Sequence, residues 1–380
     1  MDVMFISKRG SMYRYFSCLT RQLSLDTKVF DFSFRPFIIQ GRLHLSRTEI
    51  DEGIRFHLKR KRSKHYFPQI VWRFLETYYR FKYRYFFRRF ERLADQYHPK
   101  CIAIFNGHRL PEQAVKNMAI QKSIPVVHFE NGLLPNTTTF DLSGVNDANS
   151  VPRTNAFYQE YCLSGASQKF IDKILVQRKF HRAKVSHAHK DDFHRPLPER
   201  FIFVPFQVLF DSQVLINSPR LKSMRKLYDW INFVASKCTD AKLQFVIKEH
   251  PSDPHRYDDL YYAHSRIMFS NKDTMELIKS AEAVVTINSS VGLESLLLNK
   301  RVFVLGNACY AIDGITKPIM ARDQLAQEIN RLSSWYVNKE LIEKYIDYLA
   351  NVYCVPQSWR EPNEIHISAL EKRFTAVITE

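Results

Sequence analysis

The chain has 380 residues, 45% of them hydrophobic, and its 56 Lys and Arg against 39 Asp and Glu give a formal charge of +17. A chain of this length supports two cores more naturally than one and excludes a small binding module. Its six cysteines, at 18, 101, 162, 238, 309 and 354, contain no CxxC pair, which excludes a disulfide framework or zinc ribbon and predicts reduced, mostly buried thiols.

Short apolar runs alternate with amphipathic stretches, the pattern of mainly parallel sheets covered by helices. VMFIS (3–7) is the first predicted strand. The apolar run in MDVMFISKRG is too short for a signal peptide, and no stretch approaches the roughly 18 apolar residues of a membrane span. A cytoplasmic chain is expected. Between Arg55 and Arg92 lie 13 Lys and Arg against Glu76 and Glu91, a net +11 interleaved with aromatics such as Trp72, Phe74, Tyr79, Phe86 and Phe90. Such a segment forms either a helix with a buried aromatic face or a surface for an anionic membrane or glycan. No helix-turn-helix, zinc-finger or RNP-type pattern accompanies it, so nucleic acid is not expected.

CIAIF (101–105) and PVVHF (125–129) are the next predicted strands, joined by a helix over about 112–122. The His-rich, Pro-containing stretch 186–200 breaks the alternation and is the expected linker. Beyond it FIFVPF (201–206), LQFVIK (243–248), AVVTIN (283–288) and RVFVLG (301–306) predict strands, with helices near 220–237, 273–281 and 290–299 and a helical C-terminal segment. Two Rossmann-like domains, 1–190 and 191–380, follow, meeting at a cleft.

Gly107, Gly132, Gly144, Gly292, Gly306 and Gly314 fall at or just after predicted strand ends, where ligands bind in open α/β sheets. There is no GxGxxG, no Walker loop and no Asp-x-Asp. A dinucleotide cofactor, ATP hydrolysis and a metal-chelated sugar diphosphate are therefore not expected. In TINSSVGLE (286–294), Asn288, Ser289 and Ser290 stand at a helix start that either binds a phosphate or is simply capped by a serine. Lys248 and His250 in KEHP suit an anion. Glu130 follows a strand and opens a polar run of about 20 residues that ends at Arg153, longer than ordinary connections. Asp211 sits amid Gln207, Ser212 and Gln213. Two carboxylates could serve glycosyl chemistry as nucleophile and acid/base; equally, Asp211 could cap a helix and Glu130 pair with an arginine.

FNGHR (105–109), FENGLLPNTTTFDLSGVNDANSVPR (129–153), FQVLFDSQ (206–213), VIKEHP (246–251) and TINSSVGLESLLLNKRVFVLGNACY (286–310) together resemble the capsule-synthesis family of bacterial β-Kdo transferases. The resemblance implies a GT-B-like fold, CMP-β-Kdo as donor, no metal or other cofactor, and retention through a covalent intermediate. It implies Asp211 as nucleophile and Glu130 as acid/base, with the reverse assignment open. Lys248, His250, Asn288, Ser289, Ser290 and Glu294 would hold CMP. His108, Arg109, Asn146, Arg153 and Gln213 would hold the Kdo carboxylate or the acceptor, a polysaccharide or glycolipid. Capsule-linker enzymes of this type tend to carry an arginine near the position of Leu134-Pro135. Its absence here favours a polysaccharide-capping role in the O-antigen or capsule pathway, with segment 55–92 touching the inner membrane. A sugar-nucleotide epimerase of the same fold and a non-catalytic glycan-binding or export subunit are the competing readings.

Overall fold

The computed structural model describes residues 1–35, 45–164 and 195–379. They divide into one compact unit made of Met1–Ser150 with Tyr353–Glu380 and a second made of Val151–Val352.

In the first unit, β1 (Val3–Ser7), β2 (Thr27–Asp31), β3 (Cys101–Phe105) and β4 (Val126–Asn131) run parallel in the order β2-β1-β3-β4, and β5 (Thr137–Asp141) pairs antiparallel with β4. Every residue of β1 is buried, because helices cover both faces of the sheet. Met4 and Ile6 pack under the helices Arg47–Arg62, Gln69–Tyr97 and Glu112–Gln121, while Val3 and Phe5 pack under Ser11–Gln22 and Glu364–Thr379. A strand buried on both faces reads as a continuous apolar run, which is why VMFIS and CIAIF are legible.

The basic segment forms two helices. Ser46 and Glu49 make a reciprocal capping box at the start of Arg47–Arg62. Gly53 lets this helix approach the next, since a Cβ there would lie 2.3 Å from the Tyr83 ring. The 29-residue helix Gln69–Tyr97 buries Trp72, Tyr79, Tyr83, Phe86, Phe87, Phe90 and Ala94 at helical spacing and ends where His98 turns left-handed, φ 45°.

The second unit holds β6 (Phe201–Pro205), β7 (Gln244–Lys248), β8 (Ile267–Phe269), β9 (Ala283–Thr286), β10 (Arg301–Val304) and β11 (Lys317–Pro318), all parallel in the order β11-β10-β9-β6-β7-β8. Each predicted strand is present. The chain reverses direction across the sheet between β6 and β9, as it does between β1 and β3 in the first unit, and such switch points are where open α/β sheets bind ligands.

These units differ from the expected division at 190. That boundary and most of the expected linker, up to residue 194, lie outside the described residues; residues 195–200 form neither helix nor strand. The C-terminal segment belongs to the first unit for a packing reason. β12 (Val355–Pro356) pairs with β5, and Leu370 and Phe374 complete the core around Phe5, Phe16, Phe129 and Phe140. The buried Tyr15 hydroxyl donates to His366 Nε2 at 2.6 Å, with His366 Nδ1 held on the Pro356 carbonyl at 2.8 Å.

Asp141 organises the polar run. Its Oδ1 accepts from the Ser143 amide at 2.7 Å and the Gly144 amide at 3.2 Å; its Oδ2 accepts from the Ser150 amide at 2.8 Å and the Tyr353 hydroxyl at 2.9 Å. Asp141→Ala leaves these donors unsatisfied, and the expected loss of unfolding free energy for the first unit is about 3 kcal/mol. Tyr353→Phe removes one bond only and is expected to cost about 1 kcal/mol. Denaturant titration of both variants checks the ordering; equal effects would refute the hub.

Candidate functional site

At the switch point of the second unit, the loops leaving β6 and β9 are joined by two amides. Gln207 Nε2 donates to Asn288 Oδ1 at 2.9 Å and the Asn288 backbone N–H returns to Gln207 Oε1 at 3.2 Å. Asn288 Nδ2 donates to the carbonyls of Gln213 at 2.8 Å, Asn217 at 3.1 Å and Asn307 at 3.2 Å. With 1% of its surface exposed, Asn288 has no side-chain atom left for a nucleotide. It is a positioning residue, which corrects its expected place among the donor-binding groups. Gln207 likewise bonds Asn288 and not the Asp211 carboxylate.

Asp211 is exposed and caps the short helix Ser212–Leu215, Oδ1 accepting from the Gln213 amide at 3.1 Å and the Ser212 hydroxyl at 3.1 Å. The cap uses one oxygen, and Oδ2 accepts no hydrogen bond among the described residues. Gln213 contributes backbone to both Asp211 and Asn288, while its side-chain Oε1 accepts from Asn217 at 3.0 Å.

His250 follows β7. The Ser252 amide donates to its Nδ1 at 3.1 Å, so the neutral ring carries its proton on Nε2. Burial holds its pKa below the ordinary value, opposed by the nearby carboxylates of Asp253 and Asp211. The structure thus brings Asp211 and His250 from separate motifs to one locus. The Lys248 ammonium donates to the Lys272 carbonyl at 2.5 Å. Ser289 caps the helix Ser290–Leu296 by accepting from the Val291 amide at 3.2 Å, the simpler of its two readings. Ser290 is exposed, and its hydroxyl has no partner among the described residues. Gly292 exists for packing, since a Cβ would meet the Tyr310 ring at 2.7 Å, and the Tyr310 hydroxyl donates to the Ser289 carbonyl. Glu294 lies half-buried near Tyr310, where its charge helps burial raise the phenol pKa.

In the first unit, Glu130 ends β4 beside the loop after β3. Asn106 Nδ2 donates to its Oε2 at 2.7 Å and the Asn131 amide to its Oε1 at 3.0 Å. Asn106 also accepts the His108 amide at 3.1 Å from a left-handed backbone, φ 65°, followed by Gly107 at φ 95°. Sequence reasoning missed Asn106 and Asp141 as individual residues; the Asn-Gly pair directly after a strand was the available signal for the first.

His108 shares its surroundings with His128, a residue that sequence reasoning did not single out. Burial lowers both pKa values to about 4. His128 Nδ1 donates to the Asp141 carbonyl at 3.2 Å and His108 bonds the Val145 backbone, while both Nε2 atoms are buried without a partner. These nitrogens are lone-pair acceptors suited to a hydroxyl, not a carboxylate. The cation here is Lys116, whose pKa burial lowers. Arg109 is exposed after β3, and Asn146 opens a one-turn 3-10 helix with φ 59°. Arg153 belongs to the second unit, where its charge acts on Tyr158 and Tyr345.

The family model described as capsule polysaccharide biosynthesis protein matches residues 165–357. Protein FixF of Sinorhizobium fredii (strain NBRC 101917 / NGR234) is 35% identical over 265 residues, which cover 69% of this chain and 61% of FixF. Capsule polysaccharide export protein KpsS of Escherichia coli is 29% identical over 281 residues, covering 59% of this chain and 71% of KpsS. This chain therefore spans less than two thirds of the length of FixF. Among solved structures, the Thermosulfurimonas dismutans KpsC β-Kdo 2,7 transferase superposes with a TM-score of 0.55 over 99% of this chain and 100% of that one, at 13% identity. At that identity the likeness establishes the fold, a GT-B-like chain of two Rossmann-like units.

The His128 ring makes stability depend on pH. Its pKa is 6.5 when solvated and about 4 in the fold, so between these values the unfolded chain binds the additional proton. Stability is full above pH 6.5 and falls as pH drops toward 4, by about 3 kcal/mol for a shift of this size in a ring this buried. In His128→Gln the decline across that window is expected to be shallower, measured by denaturant titration at stepped pH. An unchanged slope would refute the assignment.

Proposed function

We propose that this chain, which belongs to the capsule polysaccharide biosynthesis family, is a retaining β-Kdo transferase that moves Kdo from CMP-β-Kdo to a surface polysaccharide or its lipid-linked precursor. One observation carries the reading: an exposed carboxylate with one oxygen uncommitted, Asp211, caps the short helix after β6 at the switch point of a parallel sheet, and its charge reaches the His250 ring after β7. The KpsC likeness supports the fold such a reaction uses.

In the proposed sequence, Asp211 Oδ2 attacks the anomeric carbon, the bond from that carbon to the CMP phosphate oxygen breaks, and CMP leaves with the electron pair. The acceptor hydroxyl then attacks the same carbon, the bond to Asp211 breaks, and the hydroxyl proton passes to a general base, the role for which the family resemblance names Glu130. Two inversions give net retention. His250 Nε2–H and the Ser290 hydroxyl are the donors assigned to the CMP phosphate, and no metal is required. The reading in which the chain is a non-catalytic subunit draws on the name of KpsS, an export protein; it requires neither CMP binding nor Asp211.

Contact with the inner membrane is also proposed. Ile70, Phe74, Tyr78 and Phe81 form an exposed stripe on the long helix, Phe74 at 73% and Ile70 at 64% exposure, next to Arg73 and Arg84. No helix among the described residues is long and apolar enough to cross a membrane. Apolar side chains flanked by cations suit an anionic interface, each cation adding about 1 kcal/mol.

Three measurements check these proposals. Incubation with CMP-Kdo and no acceptor is expected to add one Kdo to Asp211 by intact-protein mass spectrometry, and Asp211→Asn is expected to lower turnover at least about 10³-fold; an adduct on Glu130 would reverse the two roles. CMP binding by calorimetry is expected to survive EDTA and to weaken at least about tenfold in a His250→Ala, Ser290→Ala variant, a loss of about 1.4 kcal/mol. Sedimentation with anionic vesicles is expected to exceed that with neutral vesicles and to fall in Phe74→Ser, Tyr78→Ser; indifference to lipid charge would end the membrane proposal.

A further inference from the structure

At the carboxyl ends of β1 and β2, three guanidinium groups surround one buried carboxylate, Asp31, the last residue of β2. Arg9 Nε donates to Asp31 Oδ2 at 2.6 Å and the Ser33 hydroxyl to Oδ1 at 2.6 Å, while one Nη nitrogen of Arg35 and one of Arg89 each lie 3.7 Å from Oδ1. Burial would raise the pKa of this carboxyl, but the bonds from Ser33 and Arg9 bring it down to about 2, so it is ionised. Arg89 is internal, and its Nη1 donates to the carbonyls of Asp31 at 2.8 Å and Ser33 at 2.7 Å. Its charge alone balances Asp31. Arg9 and Arg35, 74% and 64% exposed, are surplus, and neither pairs with another carboxylate among the described residues. Arg35 Nε rests on the Ser33 hydroxyl at 3.2 Å, and the Nη edge of Arg9 has no partner among the described residues.

This cluster stands at the end of the apolar stripe on the long helix. Ile70, Phe74, Tyr78, Phe81 and Tyr85 recur at three- and four-residue spacing and so share one face. The Tyr85 hydroxyl accepts from the Arg35 amide at 2.6 Å and donates to the Arg35 carbonyl at 2.8 Å. Its ring lies 4.6 Å from that of Phe34 and 6.4 Å from that of Phe81, and both phenylalanines are more than half exposed. Exposed ion pairs add little to stability, so the fold gains little from holding two further arginines on a carboxylate that Arg89 already balances. In the order β2-β1-β3-β4, the end of β2 is three strand spacings, about 14 Å, from Glu130 at the end of β4.

We propose that Arg9 and Arg35 bind the phosphate monoester headgroup of a membrane lipid, with Phe34 and Phe81 entering the interface beside it. This assignment rests on the membrane contact proposed above and gives that contact a headgroup. The two surplus charges match a phosphate dianion, and the free guanidinium edge of Arg9 matches a pair of its oxygens. Asp31 orients the guanidiniums and touches no lipid. Three strands away from Glu130, the lipid serves as an anchor.

Sedimentation of the full chain with phosphatidylcholine vesicles that carry phosphatidate, or phosphatidylglycerol at matched surface potential, tests the site. Binding is expected to be tighter to phosphatidate, and Arg9→Gln, Arg35→Gln is expected to abolish this preference by weakening phosphatidate binding at least about tenfold. Arg84→Gln, Arg92→Gln removes the same charge from the long helix and is expected to weaken binding to both lipids equally. The Arg9, Arg35 variant is expected to melt near the wild-type temperature, because Arg89 still balances Asp31; a clearly lower temperature would assign the arginines to the fold and overturn the site. Equal binding of the wild type to the two lipids, or a phosphatidate preference that survives in the Arg9, Arg35 variant, leaves the membrane contact standing and overturns the headgroup site. Absence of binding to either vesicle overturns both.

Discussion

The reciprocal amide pair between Gln207 and Asn288 is the constraint on which the second unit's site depends. β6 and β9 lie side by side in the sheet, yet β7 and β8 intervene between them in the chain, so their loops diverge at the seam. Without a polar closure, the backbone carbonyls of residues 213 and 307 would lose this partner, and that of residue 217 would keep only the Asn307 amide. Asn288 Nδ2 meets all three. Asp211, Ser289 and Ser290 are therefore placed by side chains that need touch no ligand, and the geometry of this candidate site is set in the interior.

The first unit closes its switch point differently. Asn106 links the loop after β3 to Glu130 at the end of β4, and Asp141 gathers amides from its own loop and a hydroxyl from the returning C-terminal segment. Polar groups in these two clusters answer one another. Two atoms near them do not: the Nε2 nitrogens of His108 and His128 are buried without a partner among the described residues.

The central strands were legible because strands covered on both faces are written as unbroken apolar runs, as in CIAIF and FIFVP. β5, TTTFD, was not, since four of its five residues are polar and it lies inside a run read as one long loop. Threonines favour strands, but only pairing with β4 and β12 buries them. The motifs around Asp211, His250 and Ser290 were legible as chemistry; the division of labour within them was not. Asn288 and Lys248 carry the right functional groups, and their partners, the carbonyls of Asn307 and Lys272, are 19 and 24 residues away. Which hydrogen bonds a side chain spends internally is a property of packing. The return of the C-terminal helix to the first unit was hidden for the same reason, resting on contacts such as Tyr15 with His366, 351 residues apart.

The basic aromatic segment shows how one composition is divided into distinct faces once geometry separates them. Its long helix spans about 44 Å for 29 residues at the usual rise. Toward its C-terminus, Tyr83, Phe86, Phe87, Phe90 and Ala94 are buried, anchoring the helix to the sheet. Toward its N-terminus the balance shifts, and Ile70, Phe74 and Tyr78 are exposed although they are as apolar as the buried set. The change falls at the turn from Tyr78 to Tyr83, where Gly53 of the neighbouring helix permits close approach. Burial beyond that turn secures the helix, so the exposed apolar stripe rides on one rigid element. Net charge and aromatic count cannot separate these faces, because both are sums over the segment; the angular position of each side chain about the helix axis does.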